Sequence, residues 1–93
     1  MVALGNGSLT MYPNPNNGEQ LFVQLSEVAP EVTTVNVDLF DLMGKRVAAR
    51  TVAVRDGMIN TVLDLNGELS NGMYMVNITA GEKNYTERLV IQK

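Results

Sequence analysis

Residues 35–47 read VNVDLFDLMGKRV, and this stretch decides the fold class. Val35, Val37 and Leu39 fall on alternate positions with polar residues between them, which is the period of a half-buried β-strand. The DLMG sequence at residues 41–44 then suits a tight hairpin, because aspartate opens such turns and glycine accepts a positive φ. The stretch therefore predicts a strand, a turn and a return strand through the β-branched residues 47–54.

The same alternation recurs along the rest of the chain. Apolar residues occupy every second position in residues 21–25 and 74–78, and a further short run lies at residues 9–11. Leu63 and Leu65 alternate in the same way within residues 61–65, as do Leu89 and Ile91 within residues 85–91. Turn sequences separate these runs, and seven short strands in this order predict an all-β, seven-stranded antiparallel β-sandwich. The apolar residues at alternate positions of each run are expected to face the same side, toward the core. Leu69, in the loop of residues 66–72, is expected to close one end of that core. The predicted core is Leu21, Val23, Leu25, Val35, Val37, Leu39, Leu63, Leu65, Leu69, Tyr74, Val76, Ile78, Leu89 and Ile91.

The turns also account for several polar and small residues. Gly44 and Gly72 each end a turn-forming sequence, so both are expected to adopt a positive φ. Asp41 is expected to cap its turn, and Asp38 to be a solvated strand residue. The odd spacing of these two aspartates puts them on opposite sides of a strand, which disfavours a carboxylate pair for glycoside hydrolysis.

The sequence YPNPNNG at residues 12–18 predicts a rigid corner between the first and second strands. Proline fixes φ and lacks an N–H, so this stretch cannot lie inside a helix or a central strand. Its asparagines and Glu19 form a cluster of oxygens that calcium could use, but they lack the spacing of a calcium-binding loop. Turn chemistry is the favoured interpretation. Residues 1–8 are expected to be a flexible lead-in, with Met1 added in expression, and residues 9–93 the folded domain.

Composition excludes several classes of function. The 93 residues suffice for one domain, and they include no cysteine and no histidine. The commonest general base and the commonest metal ligands are therefore missing. A net charge of −3 does not suit a nucleic-acid binder, and no apolar run is long enough for a membrane-spanning helix. We predict no metal, cofactor or catalytic centre, and no small-molecule substrate.

Tyr74 has two interpretations. It lies on the apolar face of its run, where its hydroxyl could anchor the sandwich as a tyrosine corner does, or it could stack on a sugar. The chain has only five aromatic residues, so few side chains are available to form an exposed surface that stacks on sugars. The anchoring role is favoured.

Four segments in order carry a family resemblance. They are YPNPNNG with the alternating run 21–25, VDLFDLMGKRV (37–47), LDLNGELSNGMYMVNI (63–78) and GEKNYTERLVIQK (81–93). Together they resemble the C-terminal sorting domain of the type IX (Por) secretion system, type A. The resemblance implies an immunoglobulin-like β-sandwich that follows a cargo domain and directs it from the periplasm through the outer-membrane translocon. It also implies removal of the domain by a cell-surface sortase, with the cargo reaching the cell surface or the medium.

The resemblance carries over position by position. This chain departs from the family at Lys45, where arginine is common, and at Asn66, where serine is common. Family members are long and begin with a signal peptide, so the chain is expected to be part of a longer protein. The family pattern falls on Pro13, Pro15, Gly18, Asp41, Gly44, Gly72, Tyr74, Gly81 and Lys93.

The last strand is a candidate recognition element. A strand at the end of a chain is expected near a sheet edge, where unpaired backbone groups can receive a partner strand. Arg88, Val90 and Lys93 are the proposed translocon contacts, with the two cations adding charge complementarity. The alternative is that this strand only completes the sandwich. For the whole chain, the alternative function is a structural or ligand-binding module for carbohydrate or protein.

Overall fold

The computed structural model describes residues 9–93, so the expected lead-in at residues 1–8 lies outside the described residues. Seven strands form, and no helix occurs between residues 9 and 93. No segment of this described part is a helix long and apolar enough to span a membrane. The strands are β1 (Leu9–Tyr12), β2 (Gln20–Leu25), β3 (Thr34–Phe40), β4 (Arg46–Ala53), β5 (Ile59–Asp64), β6 (Gly72–Ala80) and β7 (Lys83–Ile91).

The strands form two antiparallel sheets. One has three strands in the order β1-β2-β5, and the other has four in the order β4-β3-β6-β7. Neighbouring strands pair antiparallel throughout. The two apolar faces bury one shared core. The prediction of a seven-stranded antiparallel, immunoglobulin-like β-sandwich is confirmed.

The core follows the alternation that the sequence shows. In the pair β2–β5, Leu21 lies opposite Leu63, and in the pair β3–β6, Val37 lies opposite Ile78. Every residue of the predicted core is buried, including Leu69 from the loop between β5 and β6. Four apolar residues outside the prediction are buried as well, namely Val28, Ile59, Ala80 and Tyr85.

The hairpin between β3 and β4 has the expected turn chemistry. The Oδ1 atom of Asp41 accepts hydrogen bonds from the backbone N–H groups of Met43 and Lys45, each at 2.9 Å. Gly44 has φ +82° and Gly72 has φ +149°, which confirms the prediction for both glycines. The turn aspartate therefore acts as a cap.

The expectation for Asp38 needs correction. Its side chain is only 19% exposed, and its Oδ1 atom lies 3.6 Å from Nη1 of Arg46 on the neighbouring strand. A register shift after Leu39 places Arg46 opposite Phe40, two residues along from Asp38 and on the same face of β3. The aspartate is therefore a half-buried residue with an exposed cationic partner.

Candidate functional site

The proline corner (residues 12–18) does more than join two strands of one sheet. It crosses to the other sheet and runs beside β7, where Asn16 forms a parallel bridge to Ile91. The N–H of Asn16 donates to the carbonyl oxygen of Val90, and the N–H of Gln92 donates to the carbonyl oxygen of Asn16, both at 2.7 Å. The corner thus ties the two sheets together along the edge of the last strand.

The side chain of Asn16 holds the corner in shape. It is 1% exposed and is the only buried polar residue among residues 9–93. Its Nδ2 atom donates to the carbonyl oxygens of Pro13 at 3.1 Å and Gln20 at 2.8 Å, and its Oδ1 atom accepts from the N–H of Gly18 at 2.7 Å. A buried amide keeps its place only with its donors and acceptor paired in this way.

Asn14 closes the neighbouring part of the same edge. Its Nδ2 atom donates to the carbonyl oxygen of Arg88 at 2.7 Å, and its Oδ1 atom accepts from the N–H of Val90 at 3.1 Å. Both backbone groups of Val90 are therefore occupied, one by Asn14 and one by Asn16.

This pairing corrects one part of the sequence-based expectation. β7 is an edge strand, as predicted, but its backbone from the Arg88 carbonyl to the Gln92 N–H is already hydrogen-bonded to the corner. Val90 therefore does not present unpaired backbone groups to a partner strand. The side chains of Arg88 and Lys93 are exposed.

Turn chemistry explains the asparagine oxygens. The Oδ1 atoms of Asn14, Asn16 and Asn17 each accept a hydrogen bond from a backbone N–H, the last one from Glu19 at 3.0 Å. Within the described part of the chain, no group of three metal-binding side chains comes together. The interpretation of these oxygens as turn residues rests on their hydrogen bonds.

Lys93 lies against the corner. Its Nζ atom donates to the carbonyl oxygen of Gly67 at 2.9 Å, and its backbone N–H donates to Oδ1 of Asn71 at 3.0 Å. A Cβ atom on Gly18 would lie 3.0 Å from Cε of Lys93, so the glycine leaves room for the lysine side chain. Two family positions that are 75 residues apart in sequence (93 − 18) are thus in contact.

Tyr74 anchors the neighbouring loop. The tyrosine is 7% exposed, and its hydroxyl donates to the carbonyl oxygen of Ser70, four residues upstream, at 2.7 Å. This is the geometry of a tyrosine corner at the start of β6. The favoured interpretation of Tyr74 is confirmed.

Most of the family positions gather at one end of the sandwich. The strand registers place Phe40 beside Met75, and Gly72 beside Ile91, so the β3–β4 turn lies at the same end as the proline corner. Gly81 lies at the opposite end, in the β6–β7 hairpin, with φ +65°.

Sequence reasoning missed Asn14 and Asn16 as the residues that close β7. Both lie in a stretch that turn chemistry already explained, and their partners are more than 70 positions away. The available signal was the pairing of each asparagine with a proline, Asn14 before Pro15 and Asn16 after it.

The family model described as a secretion system C-terminal sorting domain matches residues 10–92. No curated protein matches the chain. Among solved structures, the Group B Streptococcus pullulanase SAP is similar with a TM-score of 0.49 and 19% identity, over 78% of this chain. The chain spans about a tenth of the length of that pullulanase, since 10% of it is covered.

Proposed function

The chain belongs to the family of secretion system C-terminal sorting domains, and we propose that it directs an attached cargo through the outer-membrane type IX translocon. The family is one of secretion signals of the type IX system, which deliver proteins to the cell surface or the medium. The cargo lies N-terminal to the sorting domain. The finer proposals concern the route through the periplasm, the translocon contact and the fate of the domain after export.

The observation that carries the proposal is the family match over residues 10–92, which spans almost all of the described domain. The structure adds a physical reason for treating the family positions as one unit. Pro13, Pro15, Gly18 and Lys93 come from the two ends of the folded domain, and they meet where the corner closes β7. We propose that this closed end is what the export machinery recognises, with the exposed Arg88 and Lys93 contributing charge.

Removal of the domain by a surface sortase is a further proposal. β1 begins at Leu9 and pairs with β2 before the chain reaches the corner, so the folded domain starts ahead of the proline residues. A peptidase needs an extended and accessible substrate, and the strand ladder of β1 would have to open for cleavage within it. We therefore propose cleavage on the N-terminal side of Leu9.

One surface feature favours the alternative of a ligand-binding module. The rings of Tyr12 and Phe22 stack on the outer face of the three-stranded sheet, with centroids 5.2 Å apart, and Tyr12 is 43% exposed. Exposed aromatic rings can bind sugars, although stacking on each other already covers part of each ring.

A fusion experiment separates the two functions. Residues 1–93 are joined behind a signal peptide and a fluorescent protein in a host with a type IX system, and a matched fusion lacks the domain. The proposal expects fluorescence at the surface or in the medium only for the fusion that carries the domain. If the sortase acts, the exported fluorescent protein should be shorter, because the domain has been cleaved from it. Retention in the periplasm of both fusions supports the binding module instead.

A further inference from the structure

The basic residues of the chain are unevenly distributed. Lys45, Arg46, Arg50 and Arg55 are four of its seven cations, and residues 45–55 contain no acidic residue. The chain as a whole has a net charge of −3, so this segment is a basic stripe on an acidic domain. The stripe coincides with β4 and its two flanks.

β4 is also the second edge of the four-stranded sheet. Backbone groups in an antiparallel sheet point alternately to the two sides of a strand, residue by residue. Val54 donates its N–H to the Thr33 carbonyl on the β3 side, so the alternate residues Ala49, Thr51 and Ala53 direct their backbone groups outward. All three of these residues are exposed.

The two edges of this sheet differ. The corner occupies the edge of β7 between Arg88 and Gln92, whereas no strand of residues 9–93 pairs with the outer side of β4. On that outer side, the carbonyl oxygen of Ala49 accepts a bond from Nη1 of the adjacent Arg50, at 2.8 Å. An eight-residue edge strand with outward backbone groups is a template for another strand.

Little within the domain neutralises the stripe. The single ion pair in the described part of the chain joins Arg46 to Asp38 at 3.6 Å, and the Arg46 side chain remains 62% exposed. The other Nη atom of Arg50 reaches a backbone carbonyl, that of Asp64, at 3.4 Å. The positive charge is therefore available to an incoming acidic group.

We propose that β4 binds an extended acidic segment of a partner protein, which adds to the four-stranded sheet as a fifth strand. The outward backbone groups of Ala49, Thr51 and Ala53 supply the hydrogen bonds, and the basic stripe selects acidic over basic partners. This proposal rests on the proposed export function, to which it adds a second surface that contacts a partner. Binding at this surface is nevertheless tested on the purified domain alone. A failure of export and a failure of this site are therefore separate results.

Edge strands also carry cations simply to prevent aggregation, and a solvated stripe with no ligand is the competing explanation. The probe that separates the two is a short capped peptide of alternating glutamate and valine, titrated into the isotopically labelled domain. The same peptide with lysine in place of glutamate is the matched control. Backbone amide shifts and amide exchange rates report where each peptide binds.

Strand addition predicts saturable shifts and slowed exchange at Ala49, Thr51 and Ala53, with roughly tenfold tighter binding of the glutamate peptide at low salt. Ala49→Pro removes one outward N–H without removing a bond to β3, and it should weaken binding, whereas Thr86→Pro on the β7 edge should not. Arg46→Glu with Arg50→Glu should reverse the preference toward the lysine peptide. Absence of saturable shifts on β4, or equal binding of the two peptides, overturns the proposal.

Discussion

The backbone N–H of Asn16 donates a 2.7 Å hydrogen bond to the carbonyl oxygen of Val90 and thereby joins the proline corner to the last strand. This bond links residues from the two ends of the domain. It also places the buried side chain of Asn16 where it can hold three backbone groups of the corner. Asn16 therefore both stabilises the fold and holds the corner against β7, where the family positions meet.

Asn16→Ala should destabilise the domain by about 2–4 kcal/mol, because it leaves two carbonyls and one N–H without their partner at a buried site. Asn17→Ala is the matched control, since that side chain is exposed and accepts one bond, from Glu19. The control should cost under about 1 kcal/mol. Urea unfolding measures both, and equal losses would show that burial of Asn16 does not matter.

Much of this fold could be predicted from the sequence. Alternation fixes which side of each strand faces inward, so the core residues of β2 and β3 were assigned correctly, as were those of β6 apart from Ala80 at its end. Ile59 was missed because polar Asn60 and Thr61 follow it and the run was started too late. Tyr85 shares the parity of Leu89, but exposed Glu87 interrupts the apolar pattern between them.

The candidate site was less predictable, because it depends on contacts between distant parts of the chain. The corner was recognised from its prolines, yet local turn chemistry gives no information about a strand more than 70 residues away. The open edge at β4 could not be recognised either, since strand order within a sheet does not follow from alternation.

Two turn glycines should respond differently to substitution. Gly44→Val should cost more than about 1 kcal/mol through its positive φ alone, because a Cβ there meets no atom within 4 Å. Gly81→Val should cost more, since a Cβ would lie 2.8 Å from Cγ2 of Val32. In a Val32→Ala background, the difference between the stability losses of Gly81→Val and Gly44→Val should become smaller, as measured by thermal unfolding. An unchanged difference would argue against the steric explanation.

Tyr74→Phe should lower stability by about 1–2 kcal/mol, because it removes the hydroxyl bond to Ser70 and leaves a part-buried carbonyl unpaired. Tyr12→Phe removes a hydroxyl from an exposed ring and should have almost no effect. Chemical denaturation of the two variants gives the comparison. Similar losses for both would mean that the tyrosine corner does not anchor the loop.

The charge reversal Arg88→Glu with Lys93→Glu tests the proposed recognition of the closed end. Stability should change by less than about 1 kcal/mol, because both side chains are exposed and the one side-chain bond that is lost, from Nζ of Lys93 to the Gly67 carbonyl, is exposed as well. Export of a fused cargo should nevertheless fall, leaving it in the periplasm. Lys83→Glu, at the other end of β7, is the control. Normal export of the folded double variant would remove the role of these two charges.

The most direct test of the account compares one fusion in two strains. A fluorescent cargo carrying residues 1–93 behind a signal peptide is expressed in a type IX host and in the same host without its translocon. The account predicts fluorescence outside the outer membrane only where the translocon is present, with periplasmic accumulation in the deficient strain. Equal amounts of external cargo in the two strains would contradict it.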